Sequence, residues 1–219
     1  MTDNGRTRRT RKRLALLAVP MFLLGGASLL GGCAPVVFGG AAAGGVAVAQ
    51  ERTVGDAFDD TRIKLELNGK LLGSPREGVF SGVEIEVVEG RVLLAGTVPL
   101  PEDRIEVARM AWTTPGVKNV INEIQVGDSS GIVDFAKDTW ITAQLRTKLL
   151  FDENVRSINY TVETVNGTVY LIGISRSPEE EARVTGHAAR IAGVQKVVSY
   201  VVPVDDPSRQ PQPLQRPQG

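Results

Sequence analysis

Gly90-Arg91-Val92-Leu93-Leu94-Ala95-Gly96 and Gly167-Thr168-Val169-Tyr170-Leu171-Ile172-Gly173 share one pattern, glycine, then alternating β-formers, then glycine, 77 residues apart. Working outward, Asp60-Thr61-Arg62-Ile63 returns as Asp138-Thr139-Trp140-Ile141, and Lys70-Leu71-Leu72 as Lys148-Leu149-Leu150, both at a shift of 78. Downstream, Pro101-Glu102 returns as Pro178-Glu179, and Pro115-Gly116-Val117 as Ala192-Gly193-Val194, at a shift of 77. One deleted residue reconciles the two shifts. Landmarks kept in a fixed order mark an internal duplication, and the unit that is duplicated sets the fold.

Each copy reads helix, strand, strand, helix, strand. Ile141, Leu145 and Leu149 recur every four residues, as one buried stripe of a helix does. Ile158, Tyr160 and Val162 alternate with polar residues, predicting a strand with one wet face. Asn166-Gly167 is a strong hairpin signal, and the strand after it runs through Val169 and Leu171 to Gly173, where a bulge or a close backbone approach is expected. Residues 178–191 favour helix, Gly193 stops it, and Val194 to Val202 forms a last strand. In the first copy Val83, Ile85 and Val87 alternate before a turn at Glu89-Gly90. A unit of about 70 residues has a small core and marginal stability alone, so the two copies are expected to lean on each other or on a partner.

The N-terminus carries a different message. Arg6, Arg8, Arg9, Arg11, Lys12 and Arg13 precede an apolar run from Leu14 to Leu30, followed by Gly31, Gly32 and Cys33. A basic head, an apolar stretch and a small-residue exit are the pattern of a secretory signal. The run is long enough for a signal-anchor helix, but Pro20, Gly25, Gly26 and Gly31 argue against a lasting one. Leu30-Gly31-Gly32-Cys33 resembles a lipobox, which makes residues 1–32 a lipoprotein signal peptide and Cys33 the acylated (palmitate-bearing) N-terminus; a free or buried thiol is the alternative. A single cysteine excludes an internal disulfide framework. Residues 33–52 then form an Ala/Gly-rich tether, and residues 205–219, rich in Pro and Gln, are expected to be disordered.

The whole chain balances 25 basic against 25 acidic residues; removing residues 1–32 takes away six bases and one acid and leaves 19 against 24. A mildly acidic protein is a poor nucleic-acid binder, so no nucleic-acid partner is expected. No cofactor loop or metal-ligand spacing is present, and the one histidine, His187, reads as a solvated helix residue rather than a general base. Glu179-Glu180-Glu181 complements a helix N-terminus. No enzyme is expected.

The duplicated Gly-x-Val-x-Leu-x-Gly, the Gly-Val before the last strand and the run Asn122-Glu123-Ile124 leading to Asp138-Thr139-Trp140-Ile141-Thr142 resemble the BON (bacterial OsmY and nodulation) domain. Within that family the chain is most similar to the DolP-like outer-membrane lipoproteins with two such domains. The resemblance implies an α+β fold with tandem BON domains at residues 53–127 and 128–204. Each would be α-β-β-α-β, with two helices packed on a small three-stranded mixed sheet. It further implies a non-enzymatic protein at the outer membrane, facing the periplasm and supporting envelope integrity. Its partners would be anionic phospholipid, phosphatidylglycerol included, the outer-membrane β-barrel assembly machinery and division-site proteins. Ala34 after the cysteine fits outer-membrane sorting by the same analogy.

Carried over residue by residue, the phospholipid-binding positions are Trp140, Leu145, Arg146, Thr147 and Leu150. On a helical wheel Trp140, Leu150 and Phe151 lie away from the core stripe, which an apolar contact explains; packing of Trp140 between the domains is the competing reading. Leu145 is claimed by both core and surface. In the first copy Arg62 and Asn68 stand where the second has Trp140 and Arg146, so the second copy is the favoured lipid binder. An envelope protein-interaction adaptor, using the sheets or the Pro/Gln tail, is the alternative function.

Overall fold

Among the described residues, the non-glycine positions with positive φ lie at two hairpin turns. Glu89 and Gly90 have φ of 55° and 77°, and Asn166 and Gly167 have 49° and 73°. Two consecutive positive φ values match the twist of the flanking strands, and Gly or Asn tolerates them best. In the computed structural model, which describes residues 51–76, 80–127 and 132–209, these turns sit at the same place in each of two domains. The signal peptide, Cys33 and the tether up to residue 50 lie outside the described residues.

The first domain runs α1 (Val54–Leu72), β1 (Val83–Val88), β2 (Arg91–Val98), α2 (Pro101–Trp112), β3 (Asn119–Asn122) and β4 (Gln125–Val126). The second runs α3 (Ile132–Phe151), β5 (Tyr160–Val165), β6 (Thr168–Ser175), α4 (Pro178–Ala189) and β7 (Lys196–Pro203). The expected α+β order therefore holds in both. In each sheet the hairpin is antiparallel and the last strand joins its second arm in parallel, β6 pairing with β7 from Thr168↔Lys196 to Ser175↔Pro203. In the first domain that last strand is broken in two, β3 and β4 both pairing with β2, with buried Ile124 at the break. Ile158, expected in a strand, lies instead in a 3-10 turn, Ser157–Asn159.

Local chemistry places the helices. The Thr53 hydroxyl accepts from the Asp56 N–H at 3.1 Å at the head of α1, and Ser177 accepts from the Glu180 N–H at 3.2 Å at the head of α4. Proline occupies the first turn of α2 and of α4, where its missing N–H costs nothing. Among the described residues no helix is long and apolar enough to cross a membrane.

Alternation along β2 and β6 builds three apolar layers rather than two. Val92 and Leu94 turn toward Ile63, Leu67 and Leu71 of α1 and Val107 and Ala111 of α2. Val169 and Leu171 turn toward Ile141, Leu145 and Leu149 of α3 and Val184 and Ala188 of α4. The residues between them, Leu93 and Ala95 on one sheet and Tyr170, Ile172 and Ile174 on the other, form a third cluster joining the domains. The sheets are thus back to back, with α1 and α2 on one outer side and α3 and α4 on the other. Arg91 crosses this seam, donating to the carbonyls of Tyr200 at 2.8 Å and Gly173 at 3.0 Å. Two cores too small to be secure alone share a third.

The chain after β7 departs from the composition-based expectation. Residues 207–209 form a 3-10 turn, and Arg209 reaches back to the Glu89 carboxylate at 2.9 Å and to the Glu51 carbonyl at 2.7 Å. A long-range ion pair therefore holds residues 205–209 on the first domain, where Pro and polar content alone predicts an unpacked tail. Residues 210–219 lie outside the described residues.

Candidate functional site

Helix α3 is anchored by one face and open on the other. Ile141, Leu145 and Leu149 are buried in the second domain's core, and Asp138 on the same side accepts from the Asn166 and Gly167 N–H groups at 2.6 and 2.8 Å. The opposite side presents Ala136, Trp140, Ala143, Thr147, Leu150 and Phe151, with Trp140 at 47%, Leu150 at 68% and Phe151 at 78% exposure. Thr147 donates its hydroxyl to the Ala143 carbonyl at 2.8 Å, which satisfies its polar atom within the helix. Lys137 and Lys148 flank this stripe on one edge and Arg146 on the other. Arg146 donates to the Val162 carbonyl at 2.8 Å, and among the described residues none of these three cations sits in an ion pair.

Four of the five expected contact positions, Trp140, Arg146, Thr147 and Leu150, therefore lie on one accessible surface. Leu145 does not. It is 0% exposed, and its place between Ile141 and Leu149 at four-residue spacing makes it core; the surface assignment is corrected. Trp140 belongs to none of the three buried apolar clusters, including the one that joins the domains. His187 is not simply solvated either: its Nε2 donates to Asp152 at 2.7 Å, and Arg183 approaches the same carboxylate at 3.9 Å. The hydrogen bond from His187, helped by one from the Asn154 N–H, holds the Asp152 carboxyl below the usual carboxylate range.

Electrostatics at the seam are less settled. Glu163 on β5 is pushed up to about 7, first by burial and then by Glu84 of the first domain, with Glu86 adding to the effect and Arg146 opposing it. Glu86 itself is paired with Lys64 at 3.0 Å.

One surface was missed from sequence. On the other side of the molecule α1 exposes Phe58, Leu65 and Leu72, and α2 exposes Ile105 and Trp112. The repeat itself carried the signal: Phe58, Leu65 and Leu72 occupy the positions of Ala136, Ala143 and Leu150 at the shift of 78. Three cations here are paired with acids, Arg62 with Asp59 at 3.7 Å, Lys70 with Glu66 at 3.5 Å and Arg109 with Glu106 at 2.6 Å, while Arg104 donates to the Asn122 carbonyl at 3.1 Å.

Comparison with known proteins follows the same division. The BON domain model matches twice, at residues 59–128 and 137–202. An uncharacterized protein in the gshII 5' region of Anaplasma centrale is 40% identical over 145 residues, covering 66% of this chain and 94% of that protein. The outer membrane lipoprotein DolP of Haemophilus influenzae is 29% identical over 187 residues, covering 85% and 93%. The osmotically-inducible protein Y of Escherichia coli is 28% identical over 147 residues, covering 66% and 72%. With both halves of the duplication matched and more than half of its length covered, the chain belongs to the BON domain family, as a member with two such domains.

Proposed function

We propose that this protein is a non-enzymatic outer-membrane lipoprotein, acylated at Cys33, whose α3 surface rests on anionic phospholipid and whose presence supports envelope integrity. The observation that carries the reading is the outward side of α3: an apolar stripe bearing a tryptophan, bordered by three cations without acidic partners among the described residues. Tryptophan suits the bilayer interface because it joins a large apolar body to one N–H donor. Lysine and arginine stems lie along apolar surface while their heads reach phosphates. The name of the Haemophilus influenzae relative supports the location. Two or more acyl chains already give stable attachment, so α3 selects where on the membrane the anchored protein dwells rather than holding it there. Glu179 and Glu181 on α4 are repelled by an anionic surface, so α3 approaches the lipid more closely than α4.

The test is cosedimentation of the mature chain carrying Cys33→Ser with phosphatidylglycerol-containing vesicles. Trp140→Glu and Leu150→Glu are each expected to reduce binding tenfold or more, about 1.4 kcal/mol. Undiminished binding by both would remove α3 from the interface.

A second reading, an adaptor for the outer-membrane β-barrel assembly machinery or division-site proteins, is favoured by the α1/α2 side. Contiguous exposed apolar groups mark interaction surfaces, and the acid-paired Arg62, Lys70 and Arg109 there offer little to an anionic bilayer. Loss of co-purification of that machinery on Leu65→Glu with Ile105→Glu, with vesicle binding retained, is the expected result for this reading.

A further inference from the structure

Where α3 ends, the surface opens into a concavity of about 490 Å³, lined by Lys148 and Phe151 of α3, Asp152 and Glu153 of the turn after it, and His187 of α4. It is a shallow, open depression, suited to the end of a group that stays partly in solvent rather than to an enclosed ligand. Its chemistry has both signs. Lys148 offers an ammonium, while Asp152 and Glu153 offer carboxylates. Asp152 is held in place by His187 Nε2 at 2.7 Å and by the Asn154 N–H at 3.0 Å. Glu153 has no hydrogen-bond partner among the described residues. The last carbonyls of α3 add partial negative charge, which favours hydrogen-bond donors and disfavours a bare anion. Thr147 and Phe151 of the exposed stripe form part of its wall.

We infer that this concavity is a headgroup site. It takes the polar end of a phospholipid whose outer group donates hydrogen bonds, hydroxyl or ammonium, with the phosphate against Lys148, the donors against Asp152 and Glu153, and the acyl chains along Leu150 and Phe151. A choline or methyl headgroup has no such donor and forgoes the contact with the remaining acceptor sites of Asp152 and Glu153. The inference rests on the reading that α3 meets lipid, and it adds which lipids that surface prefers.

Charge alone makes the opposite prediction, which gives the test its force. If only surface potential mattered, removing Asp152 and Glu153 would strengthen binding to every anionic vesicle alike. The mature chain with Cys33→Ser is titrated with phosphatidylcholine vesicles containing equal mole fractions of phosphatidylglycerol or of phosphatidylmethanol, which has the same charge and no hydroxyl. In a second arm phosphatidylethanolamine replaces the phosphatidylcholine of the phosphatidylmethanol vesicles, so that hydroxyl and ammonium donors are read separately. Binding roughly three- to tenfold tighter is expected in at least one donor-bearing arm, the scale of one well-formed polar contact. Asp152→Ala with Glu153→Ala should bring that ratio to one. Glu153→Gln alone, at an exposed position, should lower it even if the double variant disturbs the fold. Binding without headgroup preference, or a preference that survives both variants, overturns the site and leaves the membrane reading standing. Absence of binding to every vesicle overturns both.

Discussion

The carboxylate of Asp138 meets the backbone N–H of Gly167 at 2.8 Å, twenty-nine residues along the chain, and Asp60 meets Gly90 at the same distance. Each aspartate also takes the preceding N–H, from Asn166 at 2.6 Å and from Glu89 at 2.8 Å. One buried acid per domain thus locks the hairpin turn to the first helix through two charge-assisted bonds. Asp138→Ala leaves two N–H groups without their acceptor and should cost roughly 2–4 kcal/mol. Urea denaturation of the variant measures it; a loss below about 0.5 kcal/mol, the ordinary surface value, would show that the turn stands without the acid.

Core and surface on α3 separate cleanly at two leucines five residues apart. Leu145→Ala should destabilise by about 2–5 kcal/mol with no direct effect on vesicle binding by the folded protein. Leu150→Ala should change stability by no more than about 0.5 kcal/mol while weakening vesicle binding. Thermal melts paired with cosedimentation read both. The reverse pattern would return Leu145 to the surface.

Gly173 answers a steric demand. A Cβ there would lie 2.2 Å from the Asn159 carbonyl oxygen, inside any tolerable contact, and that oxygen is backbone. Gly173→Ala should therefore cost more than 1–3 kcal/mol, about the usual penalty of overpacking. A variant as stable as the parent in urea would show that the strand shifts freely at this point.

Glu163 gives the molecule a pH dependence of known sign. The folded protein holds this proton up to about pH 7, whereas the unfolded chain releases it near an ordinary glutamate value, about 4.3. Stability from the protonated form is thus complete below the unfolded value and lost as pH rises through the folded one. Glu163→Gln keeps the neutral shape. Its melting temperature should match the parent at acidic pH and exceed it at about pH 8, by about 2–4 °C for each kcal/mol recovered. An equal difference at both ends would exclude titration of Glu163.

Much of the fold was legible because local and repeated signals agreed. Asn166-Gly167 placed a turn, Ile141, Leu145 and Leu149 placed a helix face, and the shift of 77 or 78 required the same plan twice. The run Val92-Leu93-Leu94-Ala95 has the unbroken apolar pattern of a strand buried on both faces, a signal of the seam between the sheets that the reading from periodicity passed over. What stayed hidden depends on distant partners. Nothing local to Arg209 points to Glu89, 120 residues earlier. Phe58, Leu65 and Leu72 share a helical period with the core residues beside them, so period alone could not say which stripe faces water. Trp140 and Leu150 could be placed outside the core because their own helix had a fuller claimant for it; Leu145 was that claimant.

The third apolar cluster also has a consequence in time. The first domain's sheet, with Val88, Leu93, Ala95 and Ile121, precedes in the chain every residue of the strands that cover it. Wherever the chain folds from its N-terminal end, the first domain can close its own core while the back of its sheet is still bare. The chain's greatest need for a chaperone falls there, until the second domain arrives.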